Sequence, residues 1–174
     1  MDPSSGWLDR LIAALSLRER VAAYHGFDPN LALQPIAKEI IAKWGAGIDA
    51  SVTPIPFEDA ALVPRSYDIA MTSPPYDRLE TYVEEADDIL KTQSTTRYRD
   101  FEAFKAWFTI YLTNMANAVR IGGILIVYIS NYTKEGKLVD LESLTHSILA
   151  SAGAKFLKKG LFCKVRPFFV FTIP

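Results

Sequence analysis

Cysteine is almost absent from this chain. Cys163 stands alone among 174 residues, which excludes an internal disulfide and a cysteine-only metal site. Histidine is nearly as scarce: His25 and His146 lie far apart and not at ligand spacing, so no metal is expected. Net charge is missing too. Nineteen Lys and Arg against twenty Asp and Glu leave −1, too little for an overall field that would grip a polyanion. There is no apolar run of about 18 residues, so no membrane span is expected. The amino terminus, Met1-Asp2-Pro3-Ser4-Ser5, lacks a basic-then-apolar leader pattern, and the expectation is a soluble, cytoplasmic protein. Repeats, low-complexity tracts and linkers are lacking as well. What remains is a chain that is 49% apolar and long enough to bury a real core, read as one domain over residues 1–174.

The most informative stretch is Tyr67-Asp68-Ile69-Ala70-Met71-Thr72-Ser73-Pro74-Pro75-Tyr76. Its apolar centre predicts a short strand covered on both faces. Two prolines then fix φ and remove two backbone donors, while the residue before each is pushed to an extended conformation. Ser73 is therefore held extended at a strand's carboxyl end, where open α/β sheets bind ligands. Acceptors, a hydroxyl and the Tyr76 ring converge there. A plain Pro-Pro turn is the alternative.

The remaining chain alternates in helix-like and strand-like periods. Leu8, Leu11, Ile12 and Leu15 predict one face of a helix. Val21 to Pro29 predicts a strand ending in the acid Asp28. Leu33, Ile36, Ala37, Ile40, Ile41 and Trp44 predict a second helix, with Pro35 in its first turn and Gly45 and Gly47 at its end. Asp49 to Pro54 predicts another strand. A polar stretch, Asp77 to Asp100, is too long for an ordinary connection and suggests a lid or substrate-facing loop, or an acidic surface loop. Phe101 to Val119 predicts a long helix, its dipole favoured by Arg120 and its end set by Gly122-Gly123. An apolar strand over Ile124 to Ile129 and a helix near Leu141 to Ala152 follow. Lys155 to Cys163 and Val165 to Ile173 are too close for a helical crossover and predict an antiparallel hairpin. The basic cluster Lys155, Lys158, Lys159, Lys164 and Arg166 suits either phosphate contact or a solvated edge.

Ser73-Pro74-Pro75-Tyr76 after an apolar strand resembles the catalytic motif of the DNA amino-methyltransferases. These transfer a methyl group from S-adenosylmethionine to the exocyclic amine of cytosine or adenine. Their motif is Asp, Asn or Ser, then Pro-Pro, then Tyr or Phe. Asp2, Pro3, Ser4, Ser5 and Gly6, leading into a helix, resemble the family's cofactor loop. Asp28 with Pro29 falls 22 positions beyond Gly6, at a spacing that suits a ribose diol, although an acid there also caps a helix. Phe57 with Glu58 or Asp59 matches in type the family's adenine contacts, and an acidic pair in a loop is equally a solvated feature. Asn131 and Tyr132, at the end of the later apolar strand, are candidates to face the target base.

The resemblance implies a Rossmann-like α/β fold, a mostly parallel sheet ending in an antiparallel carboxyl-terminal hairpin. It implies S-adenosylmethionine as cofactor, with Ser73 also near it, and DNA as substrate, with cytosine N4 favoured over adenine N6. There are two departures. Leu8 stands where the family has a second glycine, and the family's usual first strand, before the loop, is missing. No segment is large enough for a target-recognition region, so either a partner chain or a missing segment is expected to supply it, or the enzyme is relatively nonspecific. Three other readings stay open: methylation of RNA or a small amine, a non-catalytic structural or regulatory subunit, and a generic nucleotide-binding domain.

Overall fold

A computed structural model describes residues 1–76, 98–163 and 165–174. Glu80, Glu84, Glu85, Asp87, Asp88, Gln93, Ser94 and Arg97 of the suggested lid, and Lys164 of the basic cluster, lie outside the described residues. The chain divides into two compact units. Unit one joins Met1–Ala60 with Pro75–Phe104, and unit two joins Ala61–Pro74 with Lys105–Pro174.

Unit one grows from α1 (Asp9–Ser16), β1 (Ala23–Phe27), α2 (Leu33–Trp44) and β2 (Asp49–Thr53), with a 3₁₀ turn at Phe57–Asp59. β1 and β2 pair in parallel, with Tyr24 opposite Ala50 and Gly26 opposite Val52. Their connection is the helix α2, as parallel pairing requires. The core comprises Leu8, Leu11, Leu15, Tyr24, Ala37, Ile48 and Val52. Each fully buried large apolar side chain contributes about 1.5–3 kcal/mol. The predicted apolar face of α1 is narrower than expected: Leu11 and Leu15 are buried but Ile12 is exposed. On α2, Leu33 and Ala37 are buried, whereas Ile36 and Trp44 face water.

The missing first strand is represented by one residue. Asp2 forms an isolated parallel bridge with Gly26. Its amide donates to the His25 carbonyl at 2.9 Å, and its carbonyl accepts from the Phe27 amide at 3.0 Å. Asp2 is thus held beside β1 by main-chain hydrogen bonds on both of its sides.

Unit two holds β3 (Tyr67–Thr72), β4 (Val119–Tyr128), β5 (Tyr132–Lys134), β6 (Lys137–Val139), α4 (Leu141–Ser151), β7 (Lys155–Phe162) and β8 (Arg166–Thr172), with most of α3 (Phe101–Ala118). Its sheet runs β3-β4-β8-β7, the first pair parallel and the others antiparallel. The terminal hairpin is therefore present where the sequence places it. β5 and β6 form a separate two-stranded hairpin, turned by Glu135 and Gly136, both with positive φ, as a tight two-residue loop demands.

Two expectations fail here. β3 is covered on one face rather than two: Ala70 and Thr72 are buried, while Asp68 and Ile69 are exposed. Gly122-Gly123 do not end α3, because β4 starts directly after the helix and contains both glycines. They mark a register shift against β3 instead, between Tyr67 and Ile69. A Cβ on Gly123 would lie 2.8 Å from the Asp68 carbonyl oxygen and 2.9 Å from that of Arg120. Arg120 consequently lies in β4 and pairs with Asp68 at 2.6 Å. The end of α3 is closed by Arg65, whose Nη1 donates to the carbonyls of Ala116 (3.3 Å) and Val119 (3.0 Å). A guanidinium arriving from a distant loop thus supplies the donors that the last helical carbonyls lack.

Candidate functional site

The loop from Asp2 to Leu8 leaves the edge of β1 and turns into α1. Gly6 and Leu8 both adopt left-handed backbone angles, φ 51° and 66°. For leucine this conformation costs about 1–2 kcal/mol, and burial offsets it: Leu8 is 1% exposed within the core of unit one. Leu8 thus holds a glycine-like torsion without being glycine. Trp7, between the two, is 84% exposed.

Three carbonyl and carboxylate groups hold the loop in shape. The Ser5 amide donates to the Phe27 carbonyl at 2.9 Å. The Gly6 amide donates to Asp28 Oδ2, also at 2.9 Å. Ser4 donates its amide to Asp2 Oδ1 at 3.2 Å. Ser5 packs over Gly26, where a Cβ would fall 2.2 Å from the Ser5 Oγ, so only glycine fits at that point of β1. Asp2, Pro3 and Ser5 are buried, and Ser4 and Gly6 are partly so.

Asp28 stands just beyond β1, where it was expected. Its Oδ1 accepts from the Asn30 amide at 2.9 Å. It does not cap α2, whose preceding Ala32 amide is taken by Asn30 Oδ1 at 3.0 Å. Burial pushes the Asp28 carboxyl up from its ordinary value, while the Asn30 and Gly6 amides oppose the shift. Pro29 follows it, half-buried. Phe57 is buried against Phe27, with ring centroids 5.4 Å apart; Glu58 is half-buried and Asp59 exposed. Unit one therefore gathers the loop and Asp28 around one point and sets the Phe57 ring against the last residue of β1.

Asp2 was expected to touch cofactor. It is 2% exposed, and its Oδ2 accepts from Tyr24 Oη at 2.7 Å and from Arg10 Nε at 2.8 Å. Burial, and then the Asp2 charge, push the Tyr24 hydroxyl well above its usual range. Neither Arg10 nor Tyr24 carries a sequence signal for this role. An arginine in a first helical turn reads as a solvated charge, and a tyrosine in a strand reads as core.

The chain crosses between the units inside the Ser-Pro-Pro-Tyr stretch. Ser73 and Pro74 end the first segment of unit two, and Pro75 and Tyr76 open the second segment of unit one. Ser73 is exposed and Pro74 buried. Just before them, the buried Thr72 Oγ1 lies 2.5 Å from Tyr111 Oη, tying the end of β3 to α3. In unit one, Tyr98 Oη donates to the Tyr76 carbonyl at 3.4 Å. Asn131 is engaged as a cap: its Oδ1 accepts from the Glu142 amide at 2.9 Å, beside Asp140, whose Oδ1 accepts from Ser143 at 3.0 Å. Among the described residues no group of three or more His, Cys, Asp or Glu could hold a metal ion, and no helix is long and apolar enough to cross a membrane.

This α/β architecture, with its terminal antiparallel hairpin, is the Rossmann-like methyltransferase fold. A SAM-dependent methyltransferase from Aquifex aeolicus superposes with a TM-score of 0.63 at 12% identity, covering 99% of this chain and 80% of that one. A 16S rRNA (adenine(1408)-N(1))-methyltransferase from Catenulisporales acidiphilia, a W203A mutant with cosubstrate SAM, gives 0.62 at 12% identity, covering 99% and 82%. A possible exported protein from Bordetella parapertussis gives 0.63 at 12% identity, and this chain spans 60% of its length. No family model and no curated protein sequence matches the chain.

Proposed function

We propose that this chain binds S-adenosylmethionine and directs methyl transfer to an exocyclic amine of a DNA base, cytosine N4 before adenine N6. The observation that carries the reading is the loop Asp2 to Leu8, closed on Asp28 through the Gly6 amide and keeping two left-handed residues although one is leucine.

The residues present fit the cofactor. Asp28 offers a carboxylate, the acceptor type a ribose diol requires. Its partial burial raises its proton affinity, against the pull of the Gly6 and Asn30 amides. Among the described residues other than its chain neighbours, only the Ser4 carbonyl oxygen, at 3.9 Å, comes within 4 Å of a would-be Gly6 Cβ, which leaves the backbone open to close approach. Phe57 supplies an apolar wall, with Glu58 or Asp59 as acceptor for an adenine amine. S-adenosylmethionine, when bound, supplies an electrophilic methyl group.

The chain's own part in the chemistry is to localise a lone pair. An exocyclic amine is a poor nucleophile because its lone pair is delocalised into the ring. In this reading Ser73 Oγ and the Pro74 carbonyl accept its hydrogens and hold the nitrogen towards tetrahedral geometry, and Tyr76 stacks on a base extruded from the duplex. The amine proton leaves last, so no strong general base is required, and the rest is positioning. Cytosine is favoured because Ser73 stands in the first place of the motif, as in the family members that more often act on cytosine N4; its neutral hydroxyl is a weaker acceptor than a carboxylate. The target-recognition surface belongs to a partner chain or a further segment.

Calorimetric titration with S-adenosylmethionine, with Asp28→Ala as control, tests the first half. Labelled methyl transfer to unmethylated DNA, RNA and small amines tests the second. Ser73→Ala is expected to reduce transfer by roughly 10²-fold or more while cofactor affinity stays within about twofold; loss of both together would contradict the role given to Ser73. Leu8, filling the core where a glycine would leave room, favours a second reading, a subunit with this fold that binds without transferring. Affinity without transfer to any of the three substrate classes would establish it.

A further inference from the structure

We infer that Arg10 is a positioning residue that locks the loop Pro3–Gly6 into its ligand-receiving shape, acting through Asp2 and the Ser4 carbonyl. The inference rests on the cofactor reading above and adds a determinant to the same site.

The geometry is a closed bracket. Arg10 lies in the first turn of α1, and its guanidinium reaches back over the loop that precedes the helix. Nε donates to Asp2 Oδ2 at 2.8 Å, and Nη2 donates to the Ser4 carbonyl oxygen. The other Asp2 oxygen accepts the Ser4 amide. One side chain therefore holds the entrance of the loop, and through it both main-chain groups of Ser4. Tyr24 Oη fixes the shared Asp2 oxygen to β1 at 2.7 Å, so the bracket is referenced to the strand and not only to itself.

A planar fork with several donors suits this task better than an ammonium group. Asp2 is 2% exposed and the Arg10 side chain 19%. Removing the guanidinium would leave a buried carboxylate short of its counter-charge, and such a group recovers water by opening its surroundings. Asp2 is flanked by β1 on one side and by the loop on the other, and the loop is the side that Arg10 spans. The hydrogen bonds of the guanidinium go to Asp2 and Ser4, so they bear on loop geometry. The gain for binding is preorganisation: a loop already held in shape loses little further freedom when a ligand arrives.

The test uses the full chain and three variants: Arg10→Met, which keeps the stem; Arg10→Lys, which keeps the charge but loses the fork; and Tyr24→Phe. Amide hydrogen exchange is followed at Ser4 and Gly6 against the amides shared by β1 and β2, and S-adenosylmethionine affinity is measured by calorimetry. Arg10→Met is expected to speed exchange at Ser4 and Gly6 about tenfold or more, leave β1–β2 protection in place, and weaken affinity about tenfold. Arg10→Lys is expected to fall between it and the natural chain, and Tyr24→Phe to show a smaller loss of the same kind. Unchanged loop exchange would overturn the inference, as would a uniform loss of protection across the unit, which would mark Arg10 as merely stabilising. If Arg10→Met does not fold, the lysine variant decides on the same two readouts. A natural chain that fails to bind S-adenosylmethionine would sink the cofactor reading, while loop exchange would still judge the bracket.

Discussion

Asp28 is a carboxylate whose burial resists its charge, and in the proposed reading it is the acceptor for a ribose diol. The folded chain holds this proton more tightly than the unfolded one, so protonating Asp28 favours folding, and that contribution is lost as pH rises through the raised folded-state value. Ligand affinity should run the other way, since the diol needs the ionised form. Calorimetric titrations at successively lower pH are expected to lose S-adenosylmethionine affinity above the ordinary carboxylate value of 3.8, and Asp28→Asn should flatten that dependence along with the binding. Leu8 sets two effects against each other. Leu8→Gly would relieve about 1–2 kcal/mol of left-handed strain but forfeit about 2–5 kcal/mol of buried side chain. The expected result, read by denaturant unfolding, is a net loss of roughly 1–3 kcal/mol. Gly6 and Asp28 were legible in the sequence because the distance between them along the chain is set by one helix and one strand. The partners of Asp2 were not legible: its carboxylate turns inward to Arg10 and Tyr24, a pairing that exists only once the loop has folded back on β1.

At the scale of elements, β3 and its corner depend on a contact that no local pattern announces. Thr72 Oγ1 and Tyr111 Oη meet inside the sheet–helix interface of unit two, immediately before Ser73. Tyr111→Phe leaves the buried threonine hydroxyl without that partner and is expected to cost about 1–3 kcal/mol by chemical denaturation. If Ser73 acts as proposed, the same variant should lower kcat more than it raises KM, because the corner shifts while the cofactor loop does not. Helix α2 and the terminal hairpin were readable from apolar period and from the shortness of the link between the two runs. The glycine pair misled because Gly-Gly ends helices in general, whereas here α3 passes straight into β4 and the glycines relieve a crowded register shift against Asp68. The β5–β6 hairpin went unread, since three-residue strands carry too little alternation and Glu-Gly is a weaker turn signal than Asn-Gly.

For the whole molecule, the order of elements carried more than any one motif: loop, acid, proline corner, sheet and closing hairpin follow in one sequence, and the fold they predict is the fold observed. What sequence could not supply was the bridge by which Asp2 pairs with Gly26 beside β1. If the cofactor reading holds, saturating ligand should raise overall stability by mass action, by about 2.7 kcal/mol at a hundredfold excess over Kd, and a thermal shift assay would read this directly. Such a shift should vanish in Asp28→Ala. Leu8 has one more consequence. A left-handed turn can be dictated by the company a residue keeps, with packing standing in for the freedom of a missing side chain. A glycine written into a pattern at that position stands for a torsion angle, and here a leucine holds such an angle.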